Sequence, residues 1–194
     1  MKNYQTCCAA FVLLLGAWTV TASTNLVGLT APAHVFRTLS DNPSKMYQSL
    51  ERFCYQGPLL PQTPRTAVVL NFMSLKCPPC HKELPLFLEV VRSVTAEAEK
   101  NKTPFRFFLV SLDPLSAQED VRKYMQEMDL SVDRQVLLDP YKKAADKFGV
   151  VTLPRTFVIS AYGRITADIS GALDTYSDRL KAGINEALKA EGPK

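Results

Sequence analysis

With 194 residues, 46% of them hydrophobic and 22% charged, the chain has material for one buried core and too little length for two ordinary domains. This excludes a disordered or fibrous protein and predicts a single folded unit. The formal net charge of +4 is scattered, without a dense basic run or interleaved aromatics, and gives no support to a nucleic-acid partner.

The chain opens with one cation, Lys2, followed by an uncharged apolar run over 9–18 and the small-x-small sequence Val20-Thr21-Ala22. Residues 1–22 therefore read as an export signal cleaved after Ala22, because the run is shorter than the ~20 residues that a membrane span needs. An uncleaved anchor is the rival reading. Cys7 and Cys8 precede the run, where no lipoprotein cleavage leaves an acylated cysteine, and would depart with the signal. Losing Lys2, the only charge in the segment, lowers the net charge from +4 to +3. Cys54, Cys77 and Cys80 remain: in an oxidising compartment, one pair plus a leftover thiol, with the close pair the obvious couple.

Residues 23–64, rich in Pro, Ser, Thr and Asn, read as an N-terminal extension with one short helix over 44–53 built on Met46, Tyr47, Leu50 and Phe53. Residues 65–194 form the main domain. A buried strand is predicted over 67–72, then the cysteine motif, then a long helix over 82–100 with Leu84, Phe87, Leu88, Val91 and Val94 at helical spacing and a kink at Pro85. A second buried strand covers 105–112, and a helix over 116–128 follows, capped by Ser116 with Glu119 three residues on. The stretch Val136-Leu137-Leu138-Asp139-Pro140 and a helix over 141–148 lead to Gly149, a helix stop. Strands over 155–160 and 164–170, joined by Ala161-Tyr162-Gly163, read as a hairpin, and a last helix covers 174–190. A strand–helix–strand unit followed by a hairpin and a closing helix makes an α/β fold, a central mixed sheet covered on both faces.

Cys77-Pro78-Pro79-Cys80 stands where a buried strand ends and a long helix begins. A thiolate at a helix N-terminus faces unpaired N–H groups and the positive end of the macrodipole, so Cys77 is the expected attacking sulfur. Cys80, one turn later, can resolve a mixed disulfide. Pro78 and Pro79 stiffen the loop between them and remove two N–H donors. Further on, Pro154 stands just before an apolar strand, where a cis peptide is common.

Together, Asn71-Phe72, Cys77-Pro78-Pro79-Cys80, Lys82-Glu83-Leu84-Pro85, Phe148-Gly149-Val150 and Leu153-Pro154 with Thr156-Phe157-Val158-Ile159 resemble the thioredoxin superfamily, in its TlpA/ResA-like branch, over most of 65–190. The resemblance implies a thioredoxin-like three-layer sandwich with Cys77 as nucleophile, Cys80 as resolving thiol and Pro154 as the cis-proline beside which Leu153 pairs its backbone with a client chain. Pro78 and Pro79 belong to the same client-docking edge. Glu83 matches the acidic residue that manages protons in this branch, and is the better candidate because Asn71 stands where thioredoxins proper carry an Asp. Lys76 replaces the usual Trp before the first cysteine, and either favours the thiolate or points into water. The extension lacks the hairpin that usually opens this branch.

Rival readings attach to single residues. A zinc half-site needs a second pair, and only Cys54 and two histidines remain. Cys77-Pro78-Pro79-Cys80-His81 fits the C-x-x-C-H haem-attachment motif, with Met73, Met125 or Met128 as axial ligand, but haem explains neither the preceding strand nor the proline turn. His81 reads as a helix residue near the thiols with a possible proton-transfer role, and Glu83 reads equally as a first-turn surface charge. Cys54 is a buried free thiol or a third redox partner for Cys77.

The expected activity is thiol-disulfide exchange that reduces client disulfides in the periplasm or another extracytoplasmic space, by a monomer with no dissociable cofactor. A membrane donor would supply electrons, and by resemblance the clients include apocytochromes c. The rivals are an oxidase or isomerase using the same pair, a c-type haem protein and a non-catalytic thioredoxin-fold binding module.

Overall fold

A computed structural model describes residues 25–54, 65–171 and 173–191; the signal reading of residues 1–22 lies outside them. The strands are β1 (Val35–Thr38), β2 (Tyr47–Ser49), β3 (Ala67–Met73), β4 (Phe105–Ser111), β5 (Val136–Leu138), β6 (Arg155–Ile159) and β7 (Ile165–Ser170). The helices are α1 (Pro78–Lys100), α2 (Gln118–Glu127), α3 (Val132–Gln135), α4 (Lys143–Lys147) and α5 (Tyr176–Lys189). One sheet contains all seven strands in the order β2-β1-β5-β4-β3-β6-β7, parallel among β3, β4 and β5 and antiparallel elsewhere.

The sheet forms because β3 is buried on both faces at every position, as a central strand with a continuous apolar run must be. Alternation then sorts its side chains. Val69 and Met73 join the core under α1, α2 and α5 with Leu84, Phe87, Met125, Leu180 and Ile184. Val68, Leu70 and Phe72 join the opposite core with Phe36, Phe53, Phe108, Ala144, Phe148 and Phe157. Two cores on one central mixed sheet make the expected three-layer α/β sandwich.

Three local readings need correction. The helix predicted over 44–53 is a 3-10 turn (Pro43–Lys45), then β2, then a second turn (Leu50–Arg52). Its apolar spacing was not a core stripe, since Tyr47 is 60% exposed while Leu50 is buried, and backbone pairing at the sheet edge overrides the local pattern. The hairpin thought missing is therefore present, with β1 joined to β5 by Arg37↔Leu138 and Thr38↔Leu137. Ser116 caps nothing. It sits inside a 3-10 turn (Leu115–Ala117), and α2 starts after Ala117 with no side-chain cap.

The remaining predicted strands and helices are present with boundaries shifted by a few residues. Gly149 ends the α4 segment at φ 60°, and Gly163 turns the β6–β7 hairpin at φ 79°, conformations that glycine adopts without penalty. The free edge of β7 is covered by the N-terminal segment, through Gly28 N–H to Ile165 O at 2.8 Å and Ile165 N–H to Leu29 O at 2.9 Å.

Candidate active site

Strand β3 delivers the chain to the top of the sheet, and the loop Ser74-Leu75-Lys76 carries it into α1. That loop is clamped from two sides. Buried Asp113, just past β4, accepts from Ser74 Oγ at 2.8 Å and from the Leu75 N–H at 2.9 Å, and is itself held by Ser111 Oγ at 2.8 Å. On the other side His81 Nε2 lies 2.8 Å from the Leu75 carbonyl, while its Nδ1 lies 2.7 Å from Tyr124 OH on α2. A carbonyl only accepts, so Nε2 carries the hydrogen. Both polar backbone groups of Leu75 are thus fixed by side chains two residues before Cys77.

Cys77 occupies the N-cap of α1, with Pro78 in the first turn, where proline's missing N–H costs nothing. Its sulfur accepts from the Cys80 N–H at 3.2 Å, placing it against the unpaired amides of the helix end. Cys77 and Cys80 form a disulfide, with Cα atoms 5.3 Å apart. Cys77 is 8% exposed and Cys80 3%, so the first cysteine is the less deeply buried of two buried residues. Lys76, Pro78 and Pro79 are exposed around them.

The antiparallel register Phe72↔Arg155 brings the residue before Arg155 beside the end of β3, where the cysteine loop departs. That residue is Pro154, and its bond from Leu153 is cis. Pro154 is buried and Leu153 half-buried, while Val151 is an exposed apolar residue at 65%.

Glu83, one turn beyond Cys80 on the same helix face, is 2% exposed. Burial pushes its carboxyl up, and hydrogen bonds from Asn71 and Tyr176 pull it partway back, to about 7. Asn71 Nδ2 donates to Glu83 Oε1 at 3.0 Å and to Thr156 Oγ1 at 2.8 Å. A first-turn surface charge is therefore excluded for Glu83: this is a buried carboxyl held well above the usual carboxylate range, within a helical turn of Cys80.

A profile described as the AhpC/TSA family matches residues 60–168, more than half of the chain, including β3, the cysteine loop and the Pro154 turn. The chain belongs to the AhpC/TSA family. This AhpC/TSA member is 25% identical over 126 residues to the thiol-disulfide oxidoreductase ResA of Bacillus thuringiensis subsp. konkukian (strain 97-27), and equally to that of Bacillus cereus (strain ATCC 10987 / NRS 248). Each alignment covers 65% of this chain, which spans 64% of the length of these relatives. Among solved structures, a thioredoxin-family thiol:disulfide interchange protein from Chlorobium tepidum TLS superposes with a TM-score of 0.56 at 20% identity, over 86% of this chain and 99% of that one. A thiol:disulfide interchange protein from Bacteroides sp. gives 0.58 at 21%, over 84% and 93%. The AhpC/TSA chain thus has the thioredoxin-like fold and the likeness to the TlpA/ResA-like branch that its motifs suggested.

Cys54 lies apart from this site. It is a fully buried free thiol in the core on the other face of the sheet from Cys77 and Cys80, bonded to the Leu50 carbonyl at 3.6 Å, and burial pushes its pKa far up. A third redox partner for Cys77 does not fit that placement. His81 has both ring nitrogens engaged in the loop clamp, which gives it a structural task in place of the haem-ligand reading. Among the described residues, no three His, Cys, Asp or Glu side chains are grouped to hold a metal ion, and no helix is long and apolar enough to cross a membrane. Two clefts sharing Arg106, Ser131 and Arg134 open at the opposite end of the sheet from the cysteines. No sequence pattern marks Asp113 or Tyr176, and Thr156 stands out only as part of a strand motif, because their site partners are distant in the chain.

Proposed function

We propose that this chain is an extracytoplasmic protein-disulfide reductase acting through Cys77 and Cys80. The observation that carries the reading is the disulfide between Cys77, at the N-cap of α1, and Cys80, one helical turn before a buried carboxyl, Glu83, that burial pushes up to about 7. In the reduced form, the Cys77 thiolate attacks a client disulfide, forms the mixed disulfide and releases one client thiolate, which takes up a proton. Glu83 then accepts the Cys80 proton. The Cys80 thiolate attacks Cys77 Sγ, the Cys77–Cys80 disulfide forms, and the second client sulfur leaves and is protonated. Two electrons pass from the dithiol to the client, and a membrane-bound thiol donor restores the dithiol.

The exposed Lys76, Pro78, Pro79 and Val151 around half-buried Leu153 offer an open edge rather than a deep pocket, which suits an extended protein segment pairing with the Leu153 backbone. Support for the compartment comes from the signal-like residues 1–22 and from the likeness to ResA. By the resemblance of its motifs to the TlpA/ResA-like branch the clients include apocytochromes c, and the protein works as a monomer. The test is insulin reduction by the reduced protein. Cys77→Ser should abolish it, and Cys80→Ser should accumulate a client-linked mixed disulfide by mass analysis; full activity in Cys77→Ser would leave a binding module whose cysteines are not catalytic.

A further inference from the structure

Four polar side chains from four elements close into a ring beneath the cysteine pair. Asn71 (β3) donates to both Glu83 (α1) and Thr156 (β6), Thr156 Oγ1 and Tyr176 OH (α5) lie 2.9 Å apart, and the Tyr176 hydroxyl stands near enough to the Glu83 carboxyl to act on it as a second donor. Asn71 is 3% exposed, Glu83 2%, and Thr156 and Tyr176 0%, so each group must find its partners inside the ring.

Counting hydrogens fixes the directions. An ionised Glu83 only accepts, so the Tyr176 O–H points at it, and the tyrosine oxygen in turn accepts from the Thr156 O–H. Two amide hydrogens and two hydroxyl hydrogens then fill the four links, one each. A protonated Glu83 brings a fifth hydrogen to four links. The ring is complete for the carboxylate and overfilled for the acid, which opposes the effect of burial.

We propose that Tyr176 and Thr156 are positioning residues for proton transfer: their hydroxyls, ordered by Asn71, hold Glu83 ionised and oriented to take the proton of Cys80. The proposal rests on the reading of Glu83 as proton acceptor, and it ties the last helix of the chain to the redox centre. The titratable groups that face Glu83 are Tyr176 from α5 and the cysteines of its own helix. Strands β3 and β6 present Asn71 and Thr156, which do not titrate, while Arg155 of β6 points to the opposite face and pairs with Asp168. Burial as the larger effect, countered by the Asn71 and Tyr176 donors, agrees with the direction found for Glu83.

The test uses the full reduced protein with carbon-13 carboxyl-labelled glutamate, assigned by loss of the signal in Glu83→Gln, alongside the rate–pH profile of client reduction. Tyr176→Phe deletes one donor at constant shape, and should move the Glu83 midpoint upward by about one pH unit, a tenfold change in proton affinity, with the profile moving in step. Thr156→Val should shift it the same way, and Thr156→Ser should restore the wild-type midpoint. Unchanged midpoints in Tyr176→Phe and Thr156→Val overturn the proposal; if Tyr176→Phe does not fold, Thr156→Val against Thr156→Ser decides alone. A Glu83→Gln protein with an unaltered rate profile would instead refute Glu83 as proton acceptor, while the midpoint shifts still judge the ring.

Discussion

Glu83 makes the strongest demand on its surroundings of any single side chain in the site. Its folded-state value of about 7 lies above the ~4.3 of a free glutamate, so the folded protein binds this proton more tightly than the unfolded chain does. The resulting stabilisation is fully present below the unfolded value and is lost as pH rises through the folded one, amounting to on the order of 3 kcal/mol. Glu83→Gln keeps the shape and removes the titration. Denaturant unfolding of the oxidised protein should therefore show wild type losing stability between about pH 4.5 and 8 relative to the variant, and parallel curves would contradict the assignment. Cys77, Cys80, Pro154 and Glu83 were legible because each holds a fixed place in one contiguous motif or at a strand entrance. Thr156 and Tyr176 were not, because a threonine in a strand and a tyrosine opening a helix look like ordinary core until the fold brings them together across 85 and 20 residues.

Elements carry the precision that these residues need. Helix α5 brings Tyr176 to the site and lies hard against the sheet: a Cβ on Gly183 would meet Ala167 Cβ at 2.4 Å, and Thr166 Oγ1 donates to the Gly183 carbonyl at 2.9 Å. Gly183→Ala must lift the helix, and should cost about 1–3 kcal/mol of stability, read as a lowered unfolding midpoint; wild-type stability would show that the helix has room to spare. The long periodic elements were readable, since β3 is uniformly apolar and α1 repeats its apolar positions over 23 residues. The edge hairpin was not. β1 and β2 have four and three residues, too few for alternation to register, and they owe their form to pairing with a sheet assembled from later sequence. The clamp on Leu75 was equally hidden, because Asp113 and Tyr124 reach it from 38 residues or more away in the chain.

Across the whole molecule, the site stands on a sheet that is extended at one end and covered along its edge at the other. On one side the β1–β2 hairpin extends the sheet beyond β5. On the other, the segment beginning at Leu26 lies along β7, and its N–H reaches Asp168 at 2.9 Å. The same carboxylate pairs with Arg155, both side chains buried at 1% and 3% exposure, and Arg155 directly follows Pro154. On this framework we place a reducing dithiol at Cys77 and Cys80. Its most direct test is the reduction potential of the protein, obtained by equilibration in graded thiol/disulfide buffers with trapping of free thiols for mass analysis. A reducing dithiol gives a value toward the thioredoxin end of the scale, about −270 mV; a value near the strongly oxidising end, about −120 mV, would contradict this function and make the same pair a disulfide donor.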